Sequence, residues 1–412
     1  MYNKISTMKQ KVYMIMLFLS SIIVVSCNPE KKTSSETVRN LNPSEEPLQE
    51  TPIYKHVEII KLETSPVSLI SNVNRIEMND SIIFVSEFGK LYTFTREGKF
   101  VSQISRKGEG PEEYIVLSSF YIDNKKQQVT IIDNYKNVLI NYDFYGKYLS
   151  TVSVPAGSFQ SCHYTFLTED NQLLSHNMMD MNDTEAYSLF DMRKQRVKQY
   201  FSYQPITVGN YMYPFSWHPM ARSGKDIDII MPLCDTIYTY SAATSSFEPK
   251  YIIETPQKMI PKEKIRKNTP SYTEDICKLS EQGFFTGFTG IFETEAKILL
   301  EYKDQGVVMG YFLFDKSSKA GHYYLTTWNE KYTTLPFFNT IYAYKNVFVG
   351  YAQPRDLLEL ENLQDEKIRE SIKDLEEDDN PCLILYELKD VEMWNIYIVN
   401  SEYLIIDSIL YN

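Results

Sequence analysis

The chain has 412 residues, of which 43% are hydrophobic and 14% aromatic, so it can bury a large core in one domain or in several smaller ones. Its formal net charge of -12 argues against nucleic acid as a partner, because an acidic protein repels a phosphate backbone. The 32 tyrosines and 22 phenylalanines favour strands over helices.

The first residues carry the features of an export signal. Lys9 and Lys11 form a short basic region, and residues 12–25 are an unbroken run of apolar and small residues, shorter than the about 20 residues that span a membrane. The run ends in "VVSC", which resembles the lipobox of bacterial lipoproteins, in which the cysteine sulfur receives a diacylglyceryl group. We therefore predict a lipoprotein signal over residues 1–27 and a lipid anchor on Cys27. The alternative is an ordinary signal peptide or anchor with an incidental cysteine.

Residues 28–54 are polar and contain several prolines, which predicts a flexible tether between the membrane and a folded domain. Asn28 is not the aspartate that retains enteric lipoproteins at the inner membrane. The outer membrane is therefore favoured, and the periplasmic and the surface face both remain open.

Four further cysteines lie far apart along the chain: Cys162, Cys234, Cys277 and Cys382. None belongs to a CxxC pair, so zinc or redox chemistry has little support. Export permits disulfides, and three pairings are open. The wide spacing, with each cysteine beside a different apolar segment, favours buried free thiols.

An internal repeat suggests the architecture. "LYTFTREGKFV", starting at Leu91, aligns without gaps with "LINYDFYGKYL", starting at Leu139, and each predicts a strand, a tight Gly-Lys turn and a second strand. Related strand patterns begin at residues 187, 237, 311 and 383, so that the six starts are separated by 48, 48, 50, 74 and 72 residues. A strand-only period of about 40 to 50 residues is typical of a β-propeller blade.

Six repeats therefore predict an all-β protein, a six-bladed β-propeller over residues 55–412. The two long intervals predict helical insertions at about 261–283 and 354–380, and the second shows apolar residues at helical spacing. The C-terminal strands could complete the last blade or pair with "HVEIIKLE" near the start of the propeller.

Three passages carry a resemblance to a known family: "GKF" followed by "GEGPEEY", "FSWHP" before "DTIYTY", and the ending "NPCLILYEL". Together they resemble the six-bladed β-propeller lipoproteins of Bacteroides and relatives, a family similar in architecture to NHL-repeat propellers. The resemblance covers about residues 55–389. It implies a fold and a cell-envelope location, and it implies no activity.

The stretch "RKGEGPEEY" (106–114) lies between two predicted blades. A phosphate-binding loop would need a helix after it, whereas "IVLSSFYID" predicts a strand. Adjacent strand residues point to opposite sides, so paired catalytic carboxylates are also disfavoured. We interpret the stretch as a connection between blades. If it runs toward the central channel, Lys107, Glu109 and Glu112 are candidate ligand-binding residues at its mouth.

Trp217 and His218, in "SWHP", are further candidates, because an aromatic face and an imidazole beside a channel suit sugar stacking or a metal. No HxH or HxxxH pair, serine elbow or complete EF-hand occurs, so no catalytic residue and no metal ligand is predicted. No cofactor is expected, although calcium or another divalent metal would be compatible with acids and amides in the channel.

The favoured hypothesis is a binding or interaction module for a glycan, a peptide or an envelope protein, monomeric and held at the outer membrane by its lipid. The alternative is a propeller enzyme of lactonase or lyase type, with a divalent metal held by residues from several blades. The absence of a local catalytic motif favours the first hypothesis.

Overall fold

Antiparallel sheets follow one another along the chain. The computed structural model describes residues 35–40, 54–177, 185–202, 218–255, 257–260, 281–304, 308–325, 335–338, 340–360, 363–390, 396–399 and 402–405, all within one unit, Lys32–Asn412. Two strands precede the repeated part, β1 (Glu36–Asn40) and β2 (Tyr54–Lys61).

Six four-stranded antiparallel units, called blades 1 to 6, make up most of the described residues. Blade 1 contains β3 (Arg75–Met78), β4 (Ile82–Glu87), β5 (Lys90–Thr95) and β6 (Phe100–Ile104). Blade 2 contains β7 (Ser119–Asp123), β8 (Gln128–Asp133), β9 (Val138–Asp143) and β10 (Tyr148–Ser153). Blade 3 contains β11 (Cys162–Leu167), β12 (Gln172–Asn177), β13 (Glu185–Asp191) and β14 (Arg196–Ser202).

Blade 4 contains β15 (Met220–Ser223), β16 (Asp226–Ile229), β17 (Thr236–Ser241) and β18 (Ser246–Ile253). A short parallel pair follows, β19 (Lys258–Met259) with β20 (Phe284–Phe285). Blade 5 contains β21 (Phe288–Glu293), β22 (Lys297–Asp304), β23 (Val308–Asp315) and β24 (Ala320–Leu325).

Blade 6 combines strands from both ends of the propeller. It contains β25 (Thr340–Tyr344), β26 (Val347–Ala352) and β27 (Cys382–Leu388), and β2 pairs with β27 as its outermost strand. The N-terminal strand therefore completes the last blade. The C-terminal β28 (Ile396–Val399) and β29 (Glu402–Ile405) form a separate hairpin.

The first strands of the blades surround a common centre. β7 contacts β11, β15 contacts β21, β21 contacts β25, and β25 contacts β3, so the last blade lies beside the first. This is a β-propeller arrangement in a mostly β chain, as the sequence predicted. All six repeated strand patterns fall on the third strand of a blade, namely β5, β9, β13, β17, β23 and β27. The predicted Gly-Lys turns are also present, and Gly98 and Gly146 both have φ of +82°.

The tyrosine-rich composition has a structural reason. Each third strand buries a tyrosine completely: Tyr92, Tyr142, Tyr187, Tyr240, Tyr311 and Tyr386. Several of their hydroxyls donate hydrogen bonds to backbone carbonyls in the connections between blades, for example Tyr92 to Leu69 O (2.9 Å) and Tyr386 to Pro336 O (2.8 Å). A tyrosine can fill the space between two sheets and satisfy a buried carbonyl at the same time.

The predicted tether requires a correction. Residues 28–54 were expected to be flexible, but residues 36–40 form β1, which pairs in parallel with both β18 of blade 4 and β24 of blade 5. Val38 is buried in the core between these blades, and Glu36 forms an ion pair with Lys319 (2.9 Å). A short polar segment becomes ordered here because two outer strands offer unpaired backbone groups to it.

Two short helices lie in the second predicted insertion, between β26 and β27. They are α1 (Pro354–Leu358) and α2 (Glu366–Ile372), and Leu357, Ile368 and Ile372 pack into the core of blade 6. The first predicted insertion, about 261–283, lies mostly outside the described residues. Among the residues that are described, no helix has the length and hydrophobicity needed to cross a membrane.

Candidate functional site

A cavity of about 450 Å³ lies at the centre of the propeller. Its walls come from the beginnings of the first strands and from the β4–β5 turn. Because these segments belong to different blades, the cavity walls combine residues that are far apart in sequence. Its polar walls include Asn72, Asn74, Arg75, Ser119, His163, His218 and Thr340, and its aromatic walls include Phe88, Phe120, Tyr164 and Tyr351.

Arg75 connects three blades at this centre, and its side chain is almost completely buried (residue exposure 5%). Its guanidinium donates to Phe120 O of blade 2 (2.9 Å) and to Thr165 O of blade 3 (3.0 Å), and it forms an ion pair with Glu77. The guanidinium also lies over the Tyr164 ring, 3.7 Å from its centroid. Stacking and pairing together compensate for burying the charge.

Three buried polar atoms of the cavity residues have no hydrogen-bond partner among the described residues. They are Nε of Arg75, Nε2 of His218 and Oγ1 of Thr340. A buried donor or acceptor without a partner costs free energy, because it has lost its hydrogen bonds to water. These atoms are themselves buried, so a ligand in the cavity would reach them only after the side chains move.

The cavity is polar but carries little free charge. Burial lowers the pKa of His163 to about 4 and that of His218 to about 3, so both imidazoles are neutral at pH 7. The Glu87 carboxylate accepts hydrogen bonds from the Ser71 N–H (2.7 Å) and the Asn72 N–H (3.1 Å), and Arg75 is paired with Glu77. Among the described lining residues the one Lys or Arg, Arg75, is paired, and exposed Lys107 lies at the rim beside Gly89.

Phe88 is unusual among the cavity residues because 67% of it is exposed. It occupies the two-residue turn between β4 and β5 with Gly89, and both residues have positive φ (+29° and +79°). Asparagine or aspartate is usual before the glycine of such a turn, since a large side chain is unfavourable there.

Hydrogen bonds from Tyr114 and Lys136 hold the connection "RKGEGPEEY" in place. The buried Tyr114 donates to Gly89 O (2.6 Å) and Ile104 O (3.1 Å), while Lys136 Nζ donates to Gly110 O (2.7 Å) and Glu113 O (2.7 Å). It joins β6 to β7, as the sequence analysis proposed. Two of its acids have partners within the connection: Glu112 pairs with Arg106, and Glu113 accepts from the Gly110 N–H (2.9 Å).

The predicted site residues occupy different places. His218 is part of the cavity wall, and exposed Lys107 lies beside Gly89 at the cavity rim. Glu109 is exposed, and Glu112 pairs with Arg106; neither belongs to the cavity lining. Trp217 and Cys27 lie outside the described residues, so both remain predictions.

Sequence reasoning missed Arg75, Phe88 and Thr340. Two of them, Phe88 and Arg75, could have been recognised from local sequence patterns. "SEFGKL" places phenylalanine before the glycine of a hairpin turn, and "VNRIEM" places arginine and glutamate on one face of an otherwise apolar strand. No local sequence pattern marks Thr340, because its position in the cavity wall depends on which other blades surround it.

No three His, Cys, Asp or Glu side chains within the part of the chain that is described come close enough together to hold a metal ion. Cys162 and Cys382 are buried free thiols, as the sequence analysis favoured, and burial raises the pKa of both to about 12. Cys234 is also buried. Cys277 lies outside the described residues.

A second polar cluster lies between blades 4 and 5. Lys250 Nζ contacts Asp228 (2.6 Å), and Lys316 Nζ contacts Glu293 (2.5 Å). Ser223 donates to Glu293 (2.6 Å). Burial and the neighbouring Glu293 carboxylate raise the pKa of Asp228 well above its ordinary value. This cluster joins two blades and lies outside the wall of the central cavity.

Comparisons with known proteins support the fold. A family model described as "Domain of unknown function (DUF4934)" matches residues 36–387. The crystal structure of a Bacteroides fragilis protein described as exported is 21% identical, with a TM-score of 0.67, covering 82% of this chain and 98% of that one.

Two other solved structures are less similar. A DUF4221 member from Bacteroides vulgatus is 12% identical, with a TM-score of 0.48, covering 82% of this chain and 97% of that one. Virginiamycin B lyase from Staphylococcus aureus is 11% identical, with a TM-score of 0.38, covering 70% and 78%. A comparison with curated proteins found no significant match.

Proposed function

The chain belongs to the DUF4934 family, and we propose that it is a lipid-anchored, six-bladed β-propeller of the cell envelope that binds a ligand in its central cavity. The proposal assigns no reaction to the protein. It combines a location derived from the first residues with a site derived from the geometry of the blades.

The location rests on the lipobox-like "VVSC" and Cys27. A structurally similar Bacteroides fragilis protein is described as exported, which agrees with an extracytoplasmic position. Lipidation of Cys27 would hold the protein at the outer membrane. Mass spectrometry of the purified protein tests this part directly, since the mature chain should begin at a diacylated Cys27.

The binding site rests on one observation: a cavity at the centre of the propeller whose walls combine polar side chains from several blades with the exposed ring of Phe88. Pockets of about 300 to 1,000 Å³ suit small ligands, and this cavity falls within that range. The alternative, a lactonase- or lyase-type enzyme, would need metal ligands converging from several blades. No such cluster occurs among the residues described, so a binding module is favoured.

A blocked cavity tests the proposal. Asn74 is exposed and belongs to the cavity wall, so Asn74→Trp should fill the mouth without disturbing the core. The matched control is Tyr145→Trp, a residue that is 69% exposed in the β9–β10 turn. Alternate turns of an antiparallel sheet lie at opposite ends, so this turn is at the other end of a blade from the β4–β5 turn.

Thermal unfolding of the full-length protein would be recorded with saccharides, amino acids, short peptides and nucleosides. A ligand should raise the unfolding temperature of the wild type and of Tyr145→Trp, and it should leave Asn74→Trp unchanged. A ligand that stabilises all three proteins equally would contradict binding in this cavity.

A further inference from the structure

The two ends of the blades differ in charge. The turns that join first to second strands and third to fourth strands lie at one end, which we call the turn face, whereas the β4–β5 turn and the cavity mouth lie at the other. Hydrogen bonds connect these turns between neighbouring blades, for example from Asn79 to Asn124 (3.1 Å) and from Lys125 to Glu169 (2.9 Å). The turn face is therefore one surface.

Basic side chains predominate on the turn face. The exposed basic residues of its turns are Lys99, Lys125, Lys126, Lys147, Arg193, Lys194, Lys225 and Lys345, and the exposed acidic ones are Asp80, Glu97, Glu169 and Glu295. Four of the basic residues form no ion pair with another described residue, namely Lys99, Lys147, Arg193 and Lys225. Counting also the less exposed side chains and the strand residues that flank these turns gives thirteen Lys or Arg and eleven Asp or Glu, a net charge of +2.

The other end of the propeller is acidic. The segment between β26 and β27, residues 353–381, contains four Lys or Arg and eleven Asp or Glu, a net charge of -7. A six-residue strand such as β8 is about 20 Å long, whereas charges are screened over about 8 Å at physiological ionic strength. The turn face can therefore attract a nearby anionic surface although the whole chain has a charge of -12.

Two further features of the turn face suit a membrane. Tyr145, in the β9–β10 turn close to Lys147, is 69% exposed, and tyrosine and lysine side chains both suit the boundary between lipid and water. The first residue of β1, Glu36, pairs with Lys319 (2.9 Å) of the β23–β24 turn. Eight residues separate Cys27 from Glu36, and a chain of that length extends at most about 30 Å. A lipid on Cys27 would therefore keep the turn face near the membrane.

Resting on the lipid anchor of the proposed function, we infer that the turn face docks on anionic phospholipid headgroups, so that the cavity mouth faces away from the membrane. A lipid anchor and a basic surface act together in membrane binding. Each Lys or Arg that lies close to anionic lipid raises the affinity about 5-fold.

The test uses the mature lipidated protein, inserted into preformed vesicles of phosphatidylcholine alone or mixed with an equal amount of phosphatidylglycerol. Lysine acetylation followed by mass spectrometry reports the exposure of each lysine. Lys126, Lys147 and Lys194 should react at least about 5-fold more slowly on the mixed vesicles, and this protection should disappear at about 1 M salt. Exposed Lys367 and Lys373, in the acidic segment at the other end, should react equally on both vesicles.

Two variants with the same change in net charge provide a matched comparison. One combines Lys125→Glu, Lys147→Glu and Lys225→Glu on the turn face, and the other combines Arg355→Glu, Lys367→Glu and Lys373→Glu at the other end. All six side chains are exposed. The first variant should lose the protection of Lys126 and the second should keep it, and their unfolding temperatures separate lost docking from lost folding.

Several results would overturn the inference in different ways. Equal acetylation of the turn-face lysines on both vesicles, in protein whose Cys27 carries lipid, would refute docking and leave the proposed anchor and cavity intact. An unmodified Cys27 would refute the anchor and the inference together. Protection in isolated cell envelopes but not on mixed vesicles would assign the turn face to an envelope protein or polysaccharide instead of lipid.

Discussion

The guanidinium carbon of Arg75 lies 3.7 Å from the centroid of the Tyr164 ring, and this contact joins the first strand of blade 1 to the first strand of blade 3. The same guanidinium bonds to Phe120 O in blade 2. One side chain thus links three blades that are consecutive in sequence. It also forms part of the wall of the cavity to which we assign ligand binding.

Replacing Arg75 by methionine should destabilise the propeller strongly. Arg75→Met leaves the Glu77 carboxylate buried without its partner, so we expect the free energy of unfolding to fall by about 3 to 5 kcal/mol. Urea unfolding followed by tyrosine fluorescence measures this. The control is Arg222→Met, because Arg222 also stacks on an aromatic ring (Phe166, 4.5 Å) but is exposed.

The Arg222 variant should lose less than about 1 kcal/mol. Adding Glu77→Gln to Arg75→Met should restore part of the loss, since the unpaired charge is removed. If Arg75→Met and Arg222→Met lowered the free energy of unfolding equally, burial of the Arg75–Glu77 ion pair would not explain the loss.

The strand β1 should contribute to stability although the sequence analysis assigned it to a tether. Val38→Ala removes two methyl groups from a completely buried side chain, which should cost about 2 kcal/mol. Glu36→Ala is the control, because its ion pair with Lys319 lies at the surface and should cost less than about 1 kcal/mol. If β1 were detached in solution, both substitutions would leave the unfolding midpoint unchanged.

Asn380 should be a critical link between blade 6 and the segment that enters blade 1. Its side chain accepts from the Ile70 N–H (2.7 Å) and donates to Glu63 O (2.9 Å) and Ser68 O (2.9 Å). Asn380→Ala leaves these buried groups unpaired, and we expect a loss of about 3 kcal/mol in chemical unfolding. Exposed Asn124 provides a control, since Asn124→Ala should change stability by less than about 0.5 kcal/mol.

The carboxyl group of Asp228 should make stability depend on pH. Its folded-state pKa is raised above the ordinary 3.8 by burial and by Glu293, so the native state holds a proton that the unfolded chain has released. Stability from this group is therefore lost as the pH rises from about 4 through the folded-state pKa.

Asparagine has no ionisable carboxyl group, so Asp228→Asn removes this pH dependence. Urea unfolding would be measured between pH 4 and 8. The free energy of unfolding of the variant minus that of the wild type should increase as the pH rises. Using the difference cancels the contribution of His163 and His218, whose lowered pKa values act in the opposite direction. A difference that stays constant with pH would show that Asp228 is ionised throughout.

The propeller could be predicted from local patterns because each third strand repeats an aromatic residue after alternating apolar ones. That pattern depends on near neighbours in sequence, and it persists in all six blades. β1 could not be predicted in this way, because "ETVRN" is polar and acquires its order only from the edges of β18 and β24.

The candidate site was harder to predict from the sequence, because its residues come from different blades. His218 was predicted from its neighbours, but the partners of Arg75 lie 45 residues (Phe120) and 90 residues (Thr165) further along the chain. Only the arrangement of the blades brings them together. Phe88 shows the converse case, because a phenylalanine before the glycine of a two-residue turn can be recognised from the sequence alone.

The most direct test of the central claim is NMR of the histidine side chains during titration with a ligand that raises the unfolding temperature of the wild type. His218 lies in the cavity wall, whereas His56 is exposed on β2, so the two rings report on the site and on the surface. The account predicts that the His218 resonance, assigned with His218→Gln, shifts and saturates while the His56 resonance stays constant. Binding that saturates without moving the His218 resonance would place the ligand elsewhere and contradict the account.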